Sequence, residues 1–329
     1  NKFFEYHPNE QVDFICFHWN HLNTKKREVI GLKFNKNKKV WENSIFPIPD
    51  VVFIQGYLNT KIVKYLEDVF GKNIFNNFLF DKWEGWKFLS SSRGLKEYLP
   101  NTQKLKIDYL QSQLSLYSDY LIKPIIGSSG NGIMRIKSFK NGGFKVFHSF
   151  KNEITYQTFA SLYELCKWVK PKIQIGDYIL QKRVNTITYR RHTCDIRLNM
   201  NKNSKGNWEE SLVLLRIASN SNFVIPTKMS RFYTIKQLYK YPLFPKVNMK
   251  ELEKSIISLG HKICKAFDQS GYHMADLGID LGLDKKGRLW IFEVNHIPYP
   301  ALSFVEDLSI IRPFEYALFL ANSTNGSTT

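Results

Sequence analysis

The stretch of sequence that decides the fold is a pair of apolar segments around a short polar turn: Leu277–Leu283 (LGIDLGL), Asp284–Gly287 (DKKG) and Arg288–Asn295 (RLWIFEVN). Apolar runs of this length on either side of a turn that ends in glycine are typical of a β-hairpin. Because alternate residues of a strand share a face, the register of the hairpin decides which side chains lie together.

A register that pairs Leu283 with Arg288 also pairs Asp280 with Ile291, and it divides the hairpin into an apolar face and a mixed face. The apolar face, which we predict to be core, holds Leu277, Ile279, Leu281, Leu283, Trp290, Phe292 and Val294. The mixed face holds Gly278, Asp280, Gly282, Leu289, Ile291, Glu293 and Asn295.

The mixed face concentrates oxygen-bearing side chains. Asp280, Glu293 and Asn295 supply two carboxylates and an amide, the hard ligands that suit a Mg²⁺ ion bridging to phosphate oxygens. Gly278 and Gly282 are expected to leave room for a ligand beside the backbone. The alternative is a solvated face whose acids only improve solubility, but two large aliphatic residues on the same face argue against it.

A glycine-rich loop is the second informative motif. Residues 121–133 read LIKPIIGSSGNGI, which is a strand, the loop Gly127–Gly132 and the start of another strand. Glycines let successive backbone N–H groups converge on phosphate oxygens, and Lys123 adds positive charge at the entry to the loop. The loop lacks the Gly-Lys-Ser/Thr ending of a P-loop, and a strand follows it where a Rossmann motif needs a helix. Taken alone it is equally a flexible turn, whereas together with the carboxylate hairpin it favours a nucleotide site.

The periodicity of apolar residues predicts an α+β (mixed α/β) protein built of several lobes. Strands are expected at residues 29–34, 50–55, 120–123, 133–139, 144–150, 178–181, 195–200, 211–217 and in the hairpin at 277–295. Helices are expected at residues 81–99, 103–117, 158–169, 249–269 and 312–320.

Several ordered motifs in the chain resemble the ATP-grasp superfamily, and specifically the YheC/YheD-type ATP-grasp proteins associated with bacterial spore coats. The motifs are Asp81–Trp83, Leu99–Thr102, Lys123–Ile133, Asp195–Arg197, Leu277–Asp280 and Glu293–Asn295. The resemblance implies an N-terminal lobe at residues 1–81, a lid region at 82–184 with the phosphate loop, and a C-terminal lobe at 185–320 that clasps ATP against the lid. Residues 321–329 are expected to form a flexible tail.

The resemblance also implies roles for individual residues. Lys82 and Lys123 match the lysines that hold the nucleotide phosphates, and Arg197 and Arg216 match cationic positions near the transferred phosphoryl group. Asp280, Glu293 and Asn295 match the metal ligands, in agreement with the face assigned above. The remaining nucleotide-binding positions are those of the loop, Gly127, Ser128, Ser129, Gly130 and Gly132, and those of the hinge that receives adenine, Gln181, Lys182 and Val184.

The activity implied by the resemblance is that of an ADP-forming carboxylate–amine ligase with ATP and Mg²⁺ as cofactors. Two Mg²⁺ ions are expected, with Mn²⁺ as the alternative. A phosphotransferase on the same fold, or a spore-coat structural protein that binds nucleotide, are the alternative functions. The sequence departs from the family pattern at residues 219–231 and 296–300, both expected beside the acceptor pocket, so the acid and the amine are not identified.

The net charge of +18 favours an anionic partner. Residues 82–184 carry 17 basic and 7 acidic side chains, so the lid region holds the largest share of the excess. An acidic peptide acceptor would account for it, and so would codon bias towards lysine; nucleic acid is the least favoured partner. No apolar run is long enough to span a membrane. Four widely spaced cysteines suit a reducing cytosol, so we expect a cytoplasmic location, with a spore-associated one as the alternative.

Overall fold

The structure is a computed structural model that describes residues 2–116, 118–127, 130–140, 142–151, 153–174, 176–219, 223–225, 230–240, 244, 247–298 and 307–325. The order of its helices and strands combines antiparallel sheets with packed helices, which confirms the α+β prediction. Within these residues, no helix combines the length and the apolar character needed to cross a membrane.

The N-terminal lobe is built on a small antiparallel sheet in which β3 is central and the long strand β4 pairs only with β3 among the described strands. The lobe also contains a short parallel pair, β5 with β6, and Phe75 of β6 packs with Ala275 and Tyr316 outside the lobe. Helix α2 begins after Asn59, whose side chain accepts a hydrogen bond from the Ile62 amide at 3.0 Å. The elements are α1 (Lys2–Tyr6), β1 (Ile15–Cys16), β2 (Leu22–Asn23), β3 (Glu28–Asn35), β4 (Val40–Pro47), β5 (Val52–Phe53), α2 (Thr60–Phe70) and β6 (Ile74–Phe75).

The lid is a six-stranded sheet covered on one face by two helices. Its elements are β7 (Thr102–Lys104), α4 (Ile107–Leu116), β8 (Asp119–Pro124), β9 (Met134–Ser138), β10 (Phe144–Phe150), β11 (Glu153–Phe159), α5 (Leu162–Gln174) and β12 (Tyr178–Lys182). The strand order is β11-β10-β9-β8-β12-β7. Buried side chains from alternate positions of the strands, such as Ile122, Ile136 and Val146, pack against Leu110 of α4 and Leu165 of α5.

The C-terminal lobe contains a second sheet, of order β16-β15-β14-β17-β18, with β13 beside β14. Its elements are β13 (Thr188–Tyr189), β14 (His192–Lys202), β15 (Trp208–Ala218), β16 (Ser230–Thr234), α6 (Ile235–Lys240), α7 (Met249–Asp268), β17 (Asp276–Leu283), β18 (Leu289–Asn295) and α8 (Asp307–Asn325). Helix α3 (Lys82–Ser91) and the segment that follows it also add Leu89, Leu95 and Leu99 to this core.

Close contact between α7 and the second sheet depends on Gly260. A Cβ atom at this position would lie 2.7 Å from Leu198 Cδ2 and 2.9 Å from Met200 Sδ on β14. Because such distances are too short for real side chains, glycine lets the helix lie directly on the strand. The apolar face of α7, with Ile256, Ile263 and Phe267 fully buried, is thereby held against the sheet.

Four predicted helices differ from the structure by several residues. Helix α3 ends at Ser91 rather than Leu99, and α8 spans Asp307–Asn325 rather than residues 312–320, so that the first residues of the predicted tail are helical. Helix α4 begins at Ile107 rather than Gln103, and α5 spans Leu162–Gln174 rather than residues 158–169. In the last two cases the missing residues form strands instead, because β7 pairs with β12 and β11 pairs with β10. Tertiary pairing overrides local periodicity here, since short apolar runs fit either structure. Tyr117, the predicted end of α4, lies outside the described residues.

Candidate active site

The hairpin of β17 and β18 is present, but its register differs from the prediction. Leu283 lies opposite Leu289 rather than Arg288. A register shift between Asp280 and Leu281 then places Asp280 opposite Glu293. An irregularity of this kind changes which side chains share a face beyond it, and it is not visible in the apolar pattern.

The prediction of the two faces is therefore wrong for several side chains of β18. Leu289 and Ile291, which we expected on the mixed face, are buried in the core of the C-terminal lobe. Trp290, predicted to be core, is only partly buried and donates its indole N–H to Asp284 Oδ2 at 3.0 Å. Phe292, also predicted to be core, lies on the cleft side of the hairpin over Gly282.

The two glycines of the hairpin do not leave room for a ligand as predicted. A Cβ atom at Gly282 would overlap the ring of Phe292 and lie 2.9 Å from Thr186 Cγ2. A Cβ atom at Gly278 would lie 2.5 Å from Arg197 Nη1 and 2.7 Å from Pro298 Cβ. Both glycines are needed because protein side chains approach the backbone there.

The corrected register nevertheless brings the oxygen-bearing side chains of the hairpin together. Asp280 lies directly opposite Glu293, and Asn295 lies opposite Gly278, two residues along the same face. On the other side of β17, Asp280 lies opposite Arg197 of β14. The two carboxylates and the amide therefore occupy neighbouring positions on one face of the hairpin.

Two arginines surround Asp280. Arg216 of β15 makes a bidentate pair with Asp195, with Nε and Nη2 each 2.6 Å from a carboxylate oxygen, and its Nη2 lies 2.9 Å from Asp280 Oδ1. Arg197 Nε lies 3.2 Å from the same oxygen. Burial by itself would raise the pKa of Asp280, but the two guanidinium groups outweigh it and hold the pKa below its ordinary value.

Lys82 stands at the first position of helix α3 and faces both the glycine loop and Glu293. The helix begins with a capping box in which the Asp81 side chain accepts from the Trp83 and Glu84 amides, and the Asp81 amide donates to Glu84 Oε2 at 3.1 Å. Lys82 donates to the Gly127 carbonyl, and its Nζ lies 3.4 Å from Glu293 Oε1. The sequence Asp81–Glu84 thus fixes where this ammonium group enters the cleft.

Lys123 is held on β8 by a chain of hydrogen bonds. Its Nζ donates to Gln181 Oε1 at 2.6 Å, and Gln181 Nε2 donates to Thr102 Oγ1 at 3.0 Å. The pKa of Lys123 is lowered to about 8, chiefly by burial; Glu293 opposes this shift and nearby Lys82 adds to it. A lysine held in this way exchanges its amide partner for an anion at little cost, because an anion relieves the burial penalty.

These side chains line one cleft of about 390 Å³ including its open mouth. Its lining combines a few charged and polar groups with a larger number of apolar residues, as is typical of sites for small organic ligands. The polar members are Lys82, Lys123, Gln181 and Glu293, and the apolar members are Gly85, Trp86, Leu89, Leu99, Ile179, Ile291, Phe292 and Val294. Four of the predicted site residues therefore meet in a single cleft.

The other predicted hinge residues lie beside this cleft. The Lys182 amide donates to the Asn101 carbonyl at 2.8 Å, and the Val184 carbonyl accepts from the Thr186 amide at 3.1 Å. Within the described part of the chain, neither side chain lines the cleft. Their part in adenine binding stays a prediction.

The glycine loop adopts backbone conformations that favour glycine. Gly127, Gly130 and Gly132 have φ angles of 145°, 73° and 73°, all in the region that other residues rarely adopt. The Gly132 amide donates to the Ser149 carbonyl at 2.7 Å, which ties the end of the loop to β10. Ser128 and Ser129 lie outside the described residues.

The ligand set is compatible with Mg²⁺ that shares its coordination with phosphate. Asp280 Oδ1 is buried and has ion-pair neighbours but no aligned hydrogen-bond donor among the described residues. In the same part of the chain, no three His, Cys, Asp or Glu side chains group closely enough to hold a metal by themselves. Two carboxylates and an amide therefore fit a cation that takes its remaining ligands from substrate phosphates and water.

Two residues of this region have structural roles that the sequence pattern did not predict. Asp195, quoted above only as part of a motif, anchors Arg216. Asn76 is completely buried with a φ of 57°; its Oδ1 accepts from the Ala275 and Asp276 amides, and its Nδ2 donates to the carbonyls of Asp276 and His296. It joins the N-terminal lobe to both strands of the hairpin. A buried asparagine and a surface one look alike in a single sequence.

Relatives of known sequence come from a spore-forming bacterium. Endospore coat-associated protein YheD of Bacillus subtilis (strain 168) is 28% identical over 339 residues, which is 95% of this chain and 72% of YheD. Endospore coat-associated protein YheC of the same strain is 24% identical over 301 residues, which is 88% of this chain and 82% of YheC.

Solved structures with a similar fold include two synthetases. N5-carboxyaminoimidazole synthetase from Staphylococcus aureus aligns with a TM-score of 0.47 at 11% identity over 77% of this chain. The ADP complex of purK, N5-carboxyaminoimidazole ribonucleotide synthetase, aligns with a TM-score of 0.48 at 12% identity over 77% of this chain. The alignments span about half of those two chains, 54% and 55%.

The family comparison covers the lid and the C-terminal lobe together. The model described as YheC/D like ATP-grasp matches residues 71–320, well over half of the chain. This range contains Lys82, the glycine loop, both arginines and the complete carboxylate hairpin. The chain belongs to the YheC/D-like ATP-grasp family.

Proposed function

We propose that the protein is an ATP- and Mg²⁺-dependent ligase that activates a carboxylate as an acyl phosphate and joins it to an amine. One observation carries the proposal. Asp280 lies opposite Glu293 on the hairpin, and Glu293 lines one cleft together with Lys82 and Lys123, so two cationic groups that suit phosphate lie beside candidate metal ligands. Membership of the ATP-grasp family supports the same reading.

In the proposed mechanism, the lysines and the glycine loop hold the triphosphate. Lys82, now shared between the Gly127 carbonyl and Glu293, and Lys123, now bonded to Gln181, would turn to phosphate oxygens. Asp280, Glu293 and Asn295 would hold two Mg²⁺ ions, or Mn²⁺ as the alternative, which supply charge neutralisation on the phosphates. The apolar wall formed by Trp86, Ile179 and Phe292 would receive the base.

We assign the two arginines to the negative charge that develops during phosphoryl transfer. Arg216 is fixed by its bidentate pair with Asp195, so its orientation does not depend on substrate. Arg197 Nη1 is buried and has no hydrogen-bond partner among the described residues. A buried guanidinium N–H without a partner is costly unless an anion meets it, so we assign it to an oxygen of the phosphoryl group or of the acyl phosphate.

The proposed reaction has two steps, phosphoryl transfer to the acid and then formation of the amide. A carboxylate oxygen of the acid attacks the γ-phosphorus, the bond to the β-γ bridging oxygen breaks, and ADP leaves. The amine then attacks the acyl carbon, inorganic phosphate leaves, and the amine nitrogen releases a proton. The chain's contribution is to position the reactants and stabilise charge, which is where most of the rate enhancement in such reactions arises.

The experiment that tests the proposal is a screen for ADP release over pairs of acids and amines, with the products identified by mass. The expected result is ADP release that requires both partners and an amide product. A stable phosphorylated product without an amide would favour the phosphotransferase, and an absence of ADP release with nucleotide still bound would favour a structural role in the coat.

We also propose a cytoplasmic location, with association with the spore coat as the alternative suggested by the names of the relatives. All four cysteines are free, and Cys166, Cys194 and Cys264 are buried. Free buried thiols suit a reducing compartment, where no disulfide is needed to stabilise the fold.

A further inference from the structure

The cross-strand register of the lid sheet gathers cations on the face that carries Lys123. Leu121 lies opposite Arg135, and Arg135 lies opposite Phe147. Phe147 in turn lies opposite Tyr156 of β11. Because residues directly opposite and two apart share a face, this row belongs with Lys123 rather than with the buried face under α4 and α5.

Two lysines on this face lie directly opposite each other. Lys137 of β9 is the register partner of Lys145 of β10. Like charges in this arrangement repel each other, which weakens the pairing of the strands. An anion bound between the two ammonium groups would reduce this electrostatic repulsion.

The neighbouring carboxylate does not neutralise these lysines. Asp119 of β8 lies opposite Lys137 of β9. Its carboxylate, however, accepts two hydrogen bonds from Arg135, at 2.8 and 2.6 Å, and Arg183 Nη1 lies 3.5 Å from Asp119 Oδ2. Over the described ranges of the chain, no carboxylate lies within 4.0 Å of Lys137 or Lys145. The face therefore presents two ammonium groups without a counter-ion from those residues.

Aromatic rings on this face are already covered by cations. Lys145 Nζ lies 3.8 Å from the centroid of the Tyr156 ring and 5.1 Å from that of Phe147. Arg135 lies 5.7 Å from the Phe147 centroid. Tyr156 is 67% exposed, yet the ring meets an ammonium group instead of offering a bare surface. Nucleic-acid bases need open rings for stacking, so the arrangement favours carboxylates over bases.

We infer that this surface, the lid cation face of Arg135, Lys137, Lys145 and Tyr156, binds an acidic peptide segment of the substrate. The inference rests on the proposed ligase function and names the class of one of its substrates. The same face continues to Lys123 in the cleft, so a peptide lying across it would have one end near the phosphate-binding groups. The excess of 17 basic over 7 acidic side chains at residues 82–184 supports an acidic partner.

The test measures binding without turnover. Fluorescence anisotropy of a labelled oligo-glutamate peptide is recorded on the full chain, with an oligo-glutamine peptide and a single-stranded oligo-thymidine as competing probes. The double variant Lys137→Gln/Lys145→Gln is compared with Lys167→Gln/Lys170→Gln. The control lysines are exposed on helix α5, which packs on the opposite face of the same sheet.

We expect oligo-glutamate to bind more tightly than oligo-glutamine, with an affinity that falls as salt is raised. Loss of both lysines should weaken it roughly threefold to thirtyfold, since each exposed charge pair contributes a modest free energy. The control variant should bind like the wild type. Equal affinities for the two peptides, equal losses in both double variants, or tighter binding of the oligo-thymidine would each overturn the inference.

Failure of this inference can be told apart from failure of the ligase proposal. If the double variant binds ATP and releases ADP with a small acid and amine as the wild type does, a negative peptide result concerns only the acceptor. Should the variant unfold at a lower temperature than the control, the preference of the wild type for glutamate over glutamine and its salt dependence decide the question without the variant.

Discussion

Lys123 links burial, charge and nucleotide affinity in one side chain. Its ammonium group is held by Gln181 and lies in a wall that is otherwise mostly apolar. The group is cationic below its pKa of about 8 and neutral above it. In the proposed site, affinity for the triphosphate requires the cationic form, whereas the free protein is more stable when the group is neutral. The two properties should therefore respond to pH in opposite directions.

The first prediction concerns this pH dependence. Between about pH 8 and the ordinary lysine pKa, the unfolded chain binds more protons at this position than the folded one, so the folded protein gains stability as pH rises. The gain attributable to Lys123 is about 1 kcal/mol after allowance for its partial exposure. Over the same interval the affinity for ATP should fall. Urea unfolding and ATP titration of the wild type and of Lys123→Met measure both trends; a variant with the same pH slopes as the wild type would contradict the assignment.

The sequence of the β17–β18 hairpin predicted its two strands but not which side chains of β18 share a face. Apolar runs and a turn ending in glycine were enough to predict the two strands, and Asp280, Glu293 and Asn295 do share an edge. The faces of β18 could not be predicted, because a register shift lies beside Asp280 and Phe292 packs over Gly282 rather than in the core. The sequence pattern contains no local signal for that packing.

The second prediction tests that packing. In Gly282→Ala the added methyl group would overlap the Phe292 ring and displace it, at a cost of about 1–3 kcal/mol in the free energy of unfolding. Since Phe292 lines the cleft, the affinity for ATP should fall as well. Gly56→Ala is the matched control, because no atom lies within 4 Å of a Cβ at that position. Thermal unfolding and nucleotide titration of both variants would show whether the two effects occur together; wild-type values for Gly282→Ala would contradict this packing.

At the scale of the whole molecule, one buried asparagine joins the N-terminal lobe to the β17–β18 hairpin. Asn76 follows β6 and makes four hydrogen bonds to backbone groups near the start of β17 and just after β18. The α+β character and many of the strands and helices were predictable from sequence because each carries its own periodicity. The contact that Asn76 makes between the lobe and the hairpin was not predictable, because its partners lie some 200 residues away in the chain.

The third prediction follows from this connection. Asn76→Ala leaves two amide donors and two carbonyl acceptors without a partner in a fully buried position, so we expect a loss of about 2–4 kcal/mol in the free energy of unfolding. Asn59→Ala, which removes an exposed helix cap, should cost only about 1 kcal/mol. Urea denaturation of both variants makes the comparison. Equal losses would show that the buried bonds do not hold the lobes together as described.

The central claim is that the edge formed by Asp280 and Glu293 supports acid-dependent use of ATP. The most direct measurement is ADP release by Glu293→Gln, with the acid and amine that are active in the wild type, beside the surface control Glu251→Gln. Both substitutions remove one carboxylate charge and keep the shape of the side chain. We predict a loss of at least about 100-fold in kcat for Glu293→Gln, an unchanged melting temperature, and wild-type activity for the control. Unchanged ADP release by a folded Glu293→Gln protein would contradict the claim.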